Sequence, residues 1–255
     1  MIAAALLGLC LGWTSGYPLL YEAPPERIDA LLRDPHWTVL GVEEKLAALA
    51  RLRIHTPYRI GCLGEGRDPD RDPLFRLDET DCTVLVVTSA ALLHAGSLEE
   101  AEGAIRRIHY RGGQPSYENR YHFTLDRITA SPFFEEITAR AAPDSLLEGI
   151  TVRLNRDSAG GRLLPIDWER EVTIRYLPAR RMNRTVAARL PSACGIAFLR
   201  LANVPKGYLV AHEGILLDGD RLFHASSRAG RVVESPLFDY LENTGFDGLL
   251  FYRFL

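Results

Sequence analysis

The spacing of apolar residues changes near residue 148, and that change limits the fold more than any other feature of the chain. Upstream, apolar residues recur at helical intervals. Ile28, Leu31 and Leu32 in "PPERIDALLRD" predict a short helix begun at Pro25. Leu46, Leu49 and Ala50 in "VEEKLAALARLRI" predict a second helix over 42–54. Ser97 with Glu100 reads as a capping box for another helix, running to about Ile108, and "TLDRITAS" as a short one. Downstream, "GITVRL", "EVTIRYL", "GIAFLRL", "YLVAHEGILL", "RLFHAS" and "GLLFYRFL" are rich in β-branched and aromatic residues, with turn residues between them. Helices first and strands later predict an α+β fold in which N-terminal helices pack on one mainly antiparallel sheet. No repeat or linker divides the chain, so a single domain is expected over 17–255.

One helix stands apart. After Cys82, the residues Val84, Leu85, Val87, Ala91, Leu92 and Ala95 are apolar nearly all round, which predicts a central, buried helix. It follows the Gly- and Pro-rich loop "HTPYRIGCLGEGRDPDRDP". Cys82 therefore sits at a helix start, where backbone N–H groups favour a thiolate and can hold a developing oxyanion. Asp78, Glu79 and Asp81 oppose that ionisation. A side-chain oxygen of Asp81 or Thr80 is expected to cap the helix and so occupy part of the negative charge.

A nucleophilic cysteine needs a histidine as base and a group to orient it. Of seven histidines, His36, His55, His94 and His109 read as ordinary helix or loop surface, and His122 is ambiguous. His212 and His224 lie on two strands joined by "DGD". Strand parity sets a condition. A two-residue turn would put these histidines on opposite faces, whereas a three-residue turn, with Gly219 in the left-handed region, puts both on one face. A shared site predicts the three-residue turn.

Other features exclude function classes. A net charge of −3 argues against a dedicated nucleic-acid binder. Arg175, Arg180, Arg181 and Arg184 read as a solvated face. The four cysteines lack metal-finger spacing, and Cys62 could pair with Cys194 in an exported chain. A zinc site built from Cys82, His212 and His224 has little support from spacing. Residues 1–16, "MIAAALLGLCLGWTSG", resemble the hydrophobic part of an export signal although they lack a basic start, and they are too short to span a bilayer. A periplasmic or cell-envelope location is expected, with a cytoplasmic one as the alternative.

"TPYRIG", "DETDCTVLVV", "HEGILL" and "RLFHAS" together resemble the ordered blocks of NlpC-type papain-like cell-wall hydrolases. "DPLFRLDETDCT", "IRRIHYRGG" and "NRYHF" resemble more closely the N-acetylmuramoyl-L-alanine amidase-like branch, and the resemblance covers roughly residues 42–255. It implies a papain-like fold and peptidoglycan or muropeptide as substrate. Cys82 becomes the nucleophile, His212 the general base and His224 the third polar group. Tyr58, Asp81, Arg120 and His122 become the substrate-binding set. The implied chemistry is acyl transfer through a thioester, with no metal or organic cofactor required. Thr83 departs from the usual Ser, and Cys62 from the usual second Gly. Competing expectations are a γ-D-glutamyl–diamino-acid endopeptidase, a lipid-directed cysteine acyltransferase or thioesterase, and an inactive module that binds stem peptides.

Overall fold

The computed structural model describes residues 16–255; the export-signal expectation falls almost wholly outside them. The helices are α1 (Pro25–Arg33), α2 (Pro35–Val39), α3 (Val42–Leu52), α4 (Cys82–Leu93), α5 (Leu98–His109) and α6 (Thr124–Ala130). Three more fall among the strands: α7 (Thr138–Ala141), α8 (Arg184–Ala187) and α9 (Leu237–Thr244). The strands are β1 (Phe134–Glu136), β2 (Glu148–Leu154), β3 (Arg170–Pro178), β4 (Ala193–Leu199), β5 (Val210–Leu217), β6 (Arg221–Ser226), β7 (Arg231–Pro236) and β8 (Gly248–Phe254). They form one eight-stranded sheet in the order β2-β3-β8-β4-β5-β6-β7, with β1 also pairing to β8. Each of these pairings is antiparallel. The α+β expectation therefore holds. β1, β7, α2, α7, α8 and α9 are additions, all of them short.

Helix α4 packs across the centre of the sheet because no face of it is polar. Val84, Leu85, Val86, Val87 and Leu92 are at most 3% exposed. Each such side chain contributes about 1.5–3 kcal/mol when fully buried. Helices α3 and α5 flank it, and the apolar cluster they share reaches one face of the sheet through Ala197, Leu199, Ile215 and Leu217. The alternate residues Cys194, Ile196, Phe198 and Leu216 face the other way, into a second cluster closed by α9. Strand β5 thus lies between two cores, and its alternation decides which core each side chain meets.

Two expectations change here. Cys62 and Cys194 are both free and buried in different clusters, so they do not pair. His109, read as surface, is buried beside Tyr110. The arginine group does form a solvated face: Arg175 pairs with Asp144, Arg180 and Arg181 with Glu148, and Arg184 with Asp220.

Candidate active site

The turn between β5 and β6 has three residues. Leu217 pairs with Arg221, leaving Asp218, Gly219 and Asp220 as the loop. Asp218 and Gly219 both adopt positive φ, 53° and 70°, which Asp and Gly tolerate better than other residues. Extending the register places His224 opposite Gly214, which has the same parity as His212. The two histidines therefore share a face, and His212 Nε2 lies 2.9 Å from His224 Nδ1. The β5–β6 ladder ends at Ile215↔Phe223, so both histidines lie where the strands separate.

The start of α4 meets that opening. Asp81 is the N-cap, and its carboxylate accepts from Val84 N–H at 2.8 Å and from Gly61 N–H at 2.8 Å. Cys82 and His212 line two cavities in common, one of about 460 Å³ and one of about 910 Å³. With Nε2 of His212 engaged by His224, Nδ1 is its other ring nitrogen. The His224 ring continues toward Ser235, whose hydroxyl lies 3.5 Å from Nε2.

The electrostatics differ from a standing thiolate–imidazolium pair. Burial pushes the Cys82 thiol up to about 12, and the negative charges of Glu213 and Asp81 add to it. The Glu213 backbone amide and the Thr83 hydroxyl act the other way but do not offset it. Burial holds His212 down to about 4, and burial with the neighbouring His212 holds His224 down to about 3. These shifts favour a neutral thiol beside neutral imidazoles. Desolvation acts against the helix start, and the direction of the Cys82 shift is upward. The acids read as crowding it are mostly engaged elsewhere: Asp78 by Arg76, and Glu79 by Arg59 and Arg76.

Tyr58 and Asp81 line the larger cavity with Cys82, and burial raises the Tyr58 hydroxyl. His122 lines the smaller one; its Nε2 bonds the Tyr117 carbonyl at 2.6 Å, and burial holds it down to about 4. Arg120 lines neither cavity. Its guanidinium is spent on Glu65, Asp70 and the Leu63 carbonyl, stitching the loop of residues 63–70. Among the described residues no cluster of His, Cys, Asp or Glu is arranged to hold a metal ion. No helix among them is long and apolar enough to cross a membrane.

The sequence matches the N-acetylmuramoyl-L-alanine amidase-like (AmiA-like) family over residues 48–248. The chain belongs to this family. The match contains Cys82, His212 and His224 together with Tyr58, Asp81, Arg120 and His122. Among solved structures, an N-acetylmuramoyl-L-alanine amidase from Bacteroides uniformis is similar at 25% identity and a TM-score of 0.61, covering 82% of this chain and 97% of that one. A protein of Legionella pneumophila, family model DUF1460, shares the fold at 21% identity and a TM-score of 0.73, covering 91% of this chain and 94% of that one. No curated protein sequence matches. Membership supports an amidase-like hydrolase activity.

Several residues of this amidase-like site escape a reading of the sequence. Tyr240 on α9 lies 4.7 Å from the His224 ring and 6.2 Å from His212, measured between centroids. Phe198 stacks on His212 from β4, and Phe246 from the segment after α9. Phe198 was findable, since it pairs with His212 across β4 and β5. Tyr240, Phe246 and Ser235 sit in elements whose position only the tertiary fold sets.

Proposed function

We propose that the protein is a cysteine-dependent amidohydrolase of peptidoglycan, exported to the cell envelope, with the nucleophile-helix-on-sheet arrangement of papain-like enzymes. The observation that carries this is the hydrogen-bonded pair His212–His224 opening onto cavities that Cys82 shares. Because the thiol is neutral at rest, the base acts during attack and not before it. His212 Nδ1 takes the Sγ proton while Sγ adds to the amide carbonyl carbon. For Nδ1 to accept, Nε2 carries hydrogen and donates it to His224 Nδ1. His224 then points its own Nε2–H at Ser235. The new imidazolium finds an acceptor already in place, because His224 remains neutral.

The carbonyl oxygen gains charge as Sγ–C forms. The Cys82 N–H, at the positive end of α4, and the Tyr58 hydroxyl, in the larger cavity, are the donors for it. Protonated His212 returns its proton to the departing amine nitrogen as C–N breaks. Water, deprotonated by His212, then cleaves the thioester and regenerates the thiol.

The two cavities divide the substrate. The smaller is walled by Leu125, Leu154, Leu163, Leu164 and Tyr208; the larger presents Ser226, Ser227, Arg228, Ser235 and Asn243. A stem peptide rich in carboxylates and amides suits the larger one. Digestion of purified peptidoglycan by the wild type and by Cys82→Ala tests the reading, with product masses read out. Release of intact stem peptides by the wild type alone is expected. Full activity of Cys82→Ala would end it, and fragments retaining alanine on the sugar would move the scissile bond into the peptide.

A further inference from the structure

Directly after the base comes a charged residue with no place in the chemistry above. Glu213 is fully buried, and both of its carboxylate oxygens are saturated. Oε1 accepts from the Thr83 hydroxyl at 2.9 Å and from the Thr124 hydroxyl at 2.9 Å. Oε2 accepts from Arg127 Nη2 at 2.5 Å and from the Tyr252 hydroxyl at 2.8 Å. Arg127 is fully buried as well, so the pair is sealed from solvent. These four partners come from α4, from the first and fourth residues of α6, and from β8.

The location gives this network its meaning. Thr83 follows the nucleophile, and Glu213 follows the base. Alternation along β5 sends His212 into one core and the Glu213 side chain into the other. The carboxylate thus grips the underside of the Cys82 turn while the imidazole faces the cavity. Tyr252 reaches Glu213 because Gly195, its partner across β4 and β8, has no side chain: a Cβ there would fall 2.0 Å from the tyrosine ring.

We infer that Glu213 is a positioning residue that fixes the separation of Cys82 from His212 by clamping the start of α4 to β5, with Thr83, Thr124, Arg127 and Tyr252 as its anchors. The inference rests on the cysteine-amidohydrolase reading of the site. It gives Thr83 a function: the hydroxyl is the clamp's contact on the nucleophile helix, a role that serine could also fill.

The test compares Thr83→Val, Thr83→Ser, Tyr252→Phe and Glu213→Gln with the wild type on solubilised muropeptides, with folding checked by thermal melts. Thr83→Val and Tyr252→Phe should each lower kcat about tenfold with KM within twofold, the signature of misplaced reacting groups. Thr83→Ser should restore the rate. Tyr252→Phe removes one hydroxyl of a residue that lines neither cavity and keeps the ion pair, so it carries the test if Glu213→Gln does not fold. A kcat within twofold of wild type in folded Thr83→Val and Tyr252→Phe overturns the inference, whatever happens to the melting temperature. If the wild type cleaves no muropeptide, the amidohydrolase reading fails and alkylation of Cys82 by iodoacetamide decides alone. Folded Thr83→Val and Tyr252→Phe should then change the rate of labelling, and rates within twofold of wild type in both overturn the clamp.

Discussion

The two cavities that meet at Cys82 differ in chemistry and in support. The smaller is framed by β2, β5 and the start of α6, elements tied into the main apolar cluster, and its walls are mostly leucine and aromatic carbon. The larger is framed by the β6–β7 turn and by α9, with hydroxyls, an amide and the exposed Arg228. An amide bond lying across Cys82 would place one flank in each. On the proposed reading, catalytic machinery and selectivity are separable: the reacting groups sit at the junction, while recognition is divided between a leucine-walled side and a side that adds serines and Arg228.

The strongest way to break that separation is to remove the junction. His212→Ala should lower kcat about 10³-fold, within the range typical for loss of a general base. Peptide binding should persist, because every wall residue of the two cavities other than His212 stays in place; calorimetric loss of binding would show the two functions to be inseparable. His224→Ala should follow with a smaller fall, about 10²-fold, because it orients the base and does not itself move the first proton.

Acid should sharpen the picture without any mutation. His212 must be neutral to accept a proton, and burial holds it down to about 4. The acid limb of kcat/KM is therefore expected near pH 4, well below the ordinary histidine range. A limb near 6.5 in the pH–rate profile would place His212 in a solvated site. Stability follows the same groups with the sign of their shifts. His122, His212 and His224 are all depressed when folded, to about 4, 4 and 3. Between those values and about 6.5 the unfolded chain binds more protons than the folded one. Stability should rise with pH through that window and fall as pH drops, seen as a declining Tm from pH 6.5 to 4.

The smallest effects should separate the two sides. Arg228→Ala should raise KM about tenfold for substrates carrying a free carboxylate, with kcat nearly unchanged, as expected for a lost charge-assisted contact. The same substrate with that carboxylate amidated should lose the discrimination. Leu164→Ser, on the apolar side, should cost only a few-fold in KM and act equally on both substrates. Equal effects of the two mutations on charged and amidated substrates would erase the distinction between the cavities.

What the sequence could show depended on whether local pattern or tertiary placement set each residue. Helix α4 was legible because a helix with no polar face has nowhere to go but the centre. The histidine pair was legible through parity, since a period of two turns loop length into facing. Tyr240 was not, because α9 is short and its approach to His224 depends on how β7 returns. Glu213 hid for a different reason: an acid on a strand, alternating with an inward residue, reads as solvent-facing, and only the arrival of Arg127 and Tyr252 on that side makes it core. The upward direction of the Cys82 shift was not legible, because the helix-start effect is visible in sequence, whereas the desolvation that acts against it is not.

The three-residue turn also bears on how such a site can drift. Gly219 holds a φ of 70°, and a Cβ there would come within 2.6 Å of the Ala187 carbonyl oxygen. The loop is thus pinned in length and in residue type at a point some distance from the nucleophile. Dropping or adding one residue among 218–220 would alter no catalytic side chain, yet it would turn His224 over to the opposite core or force a compensating bulge. Insertions and deletions, usually harmless in hairpin tips, would here act as active-site lesions.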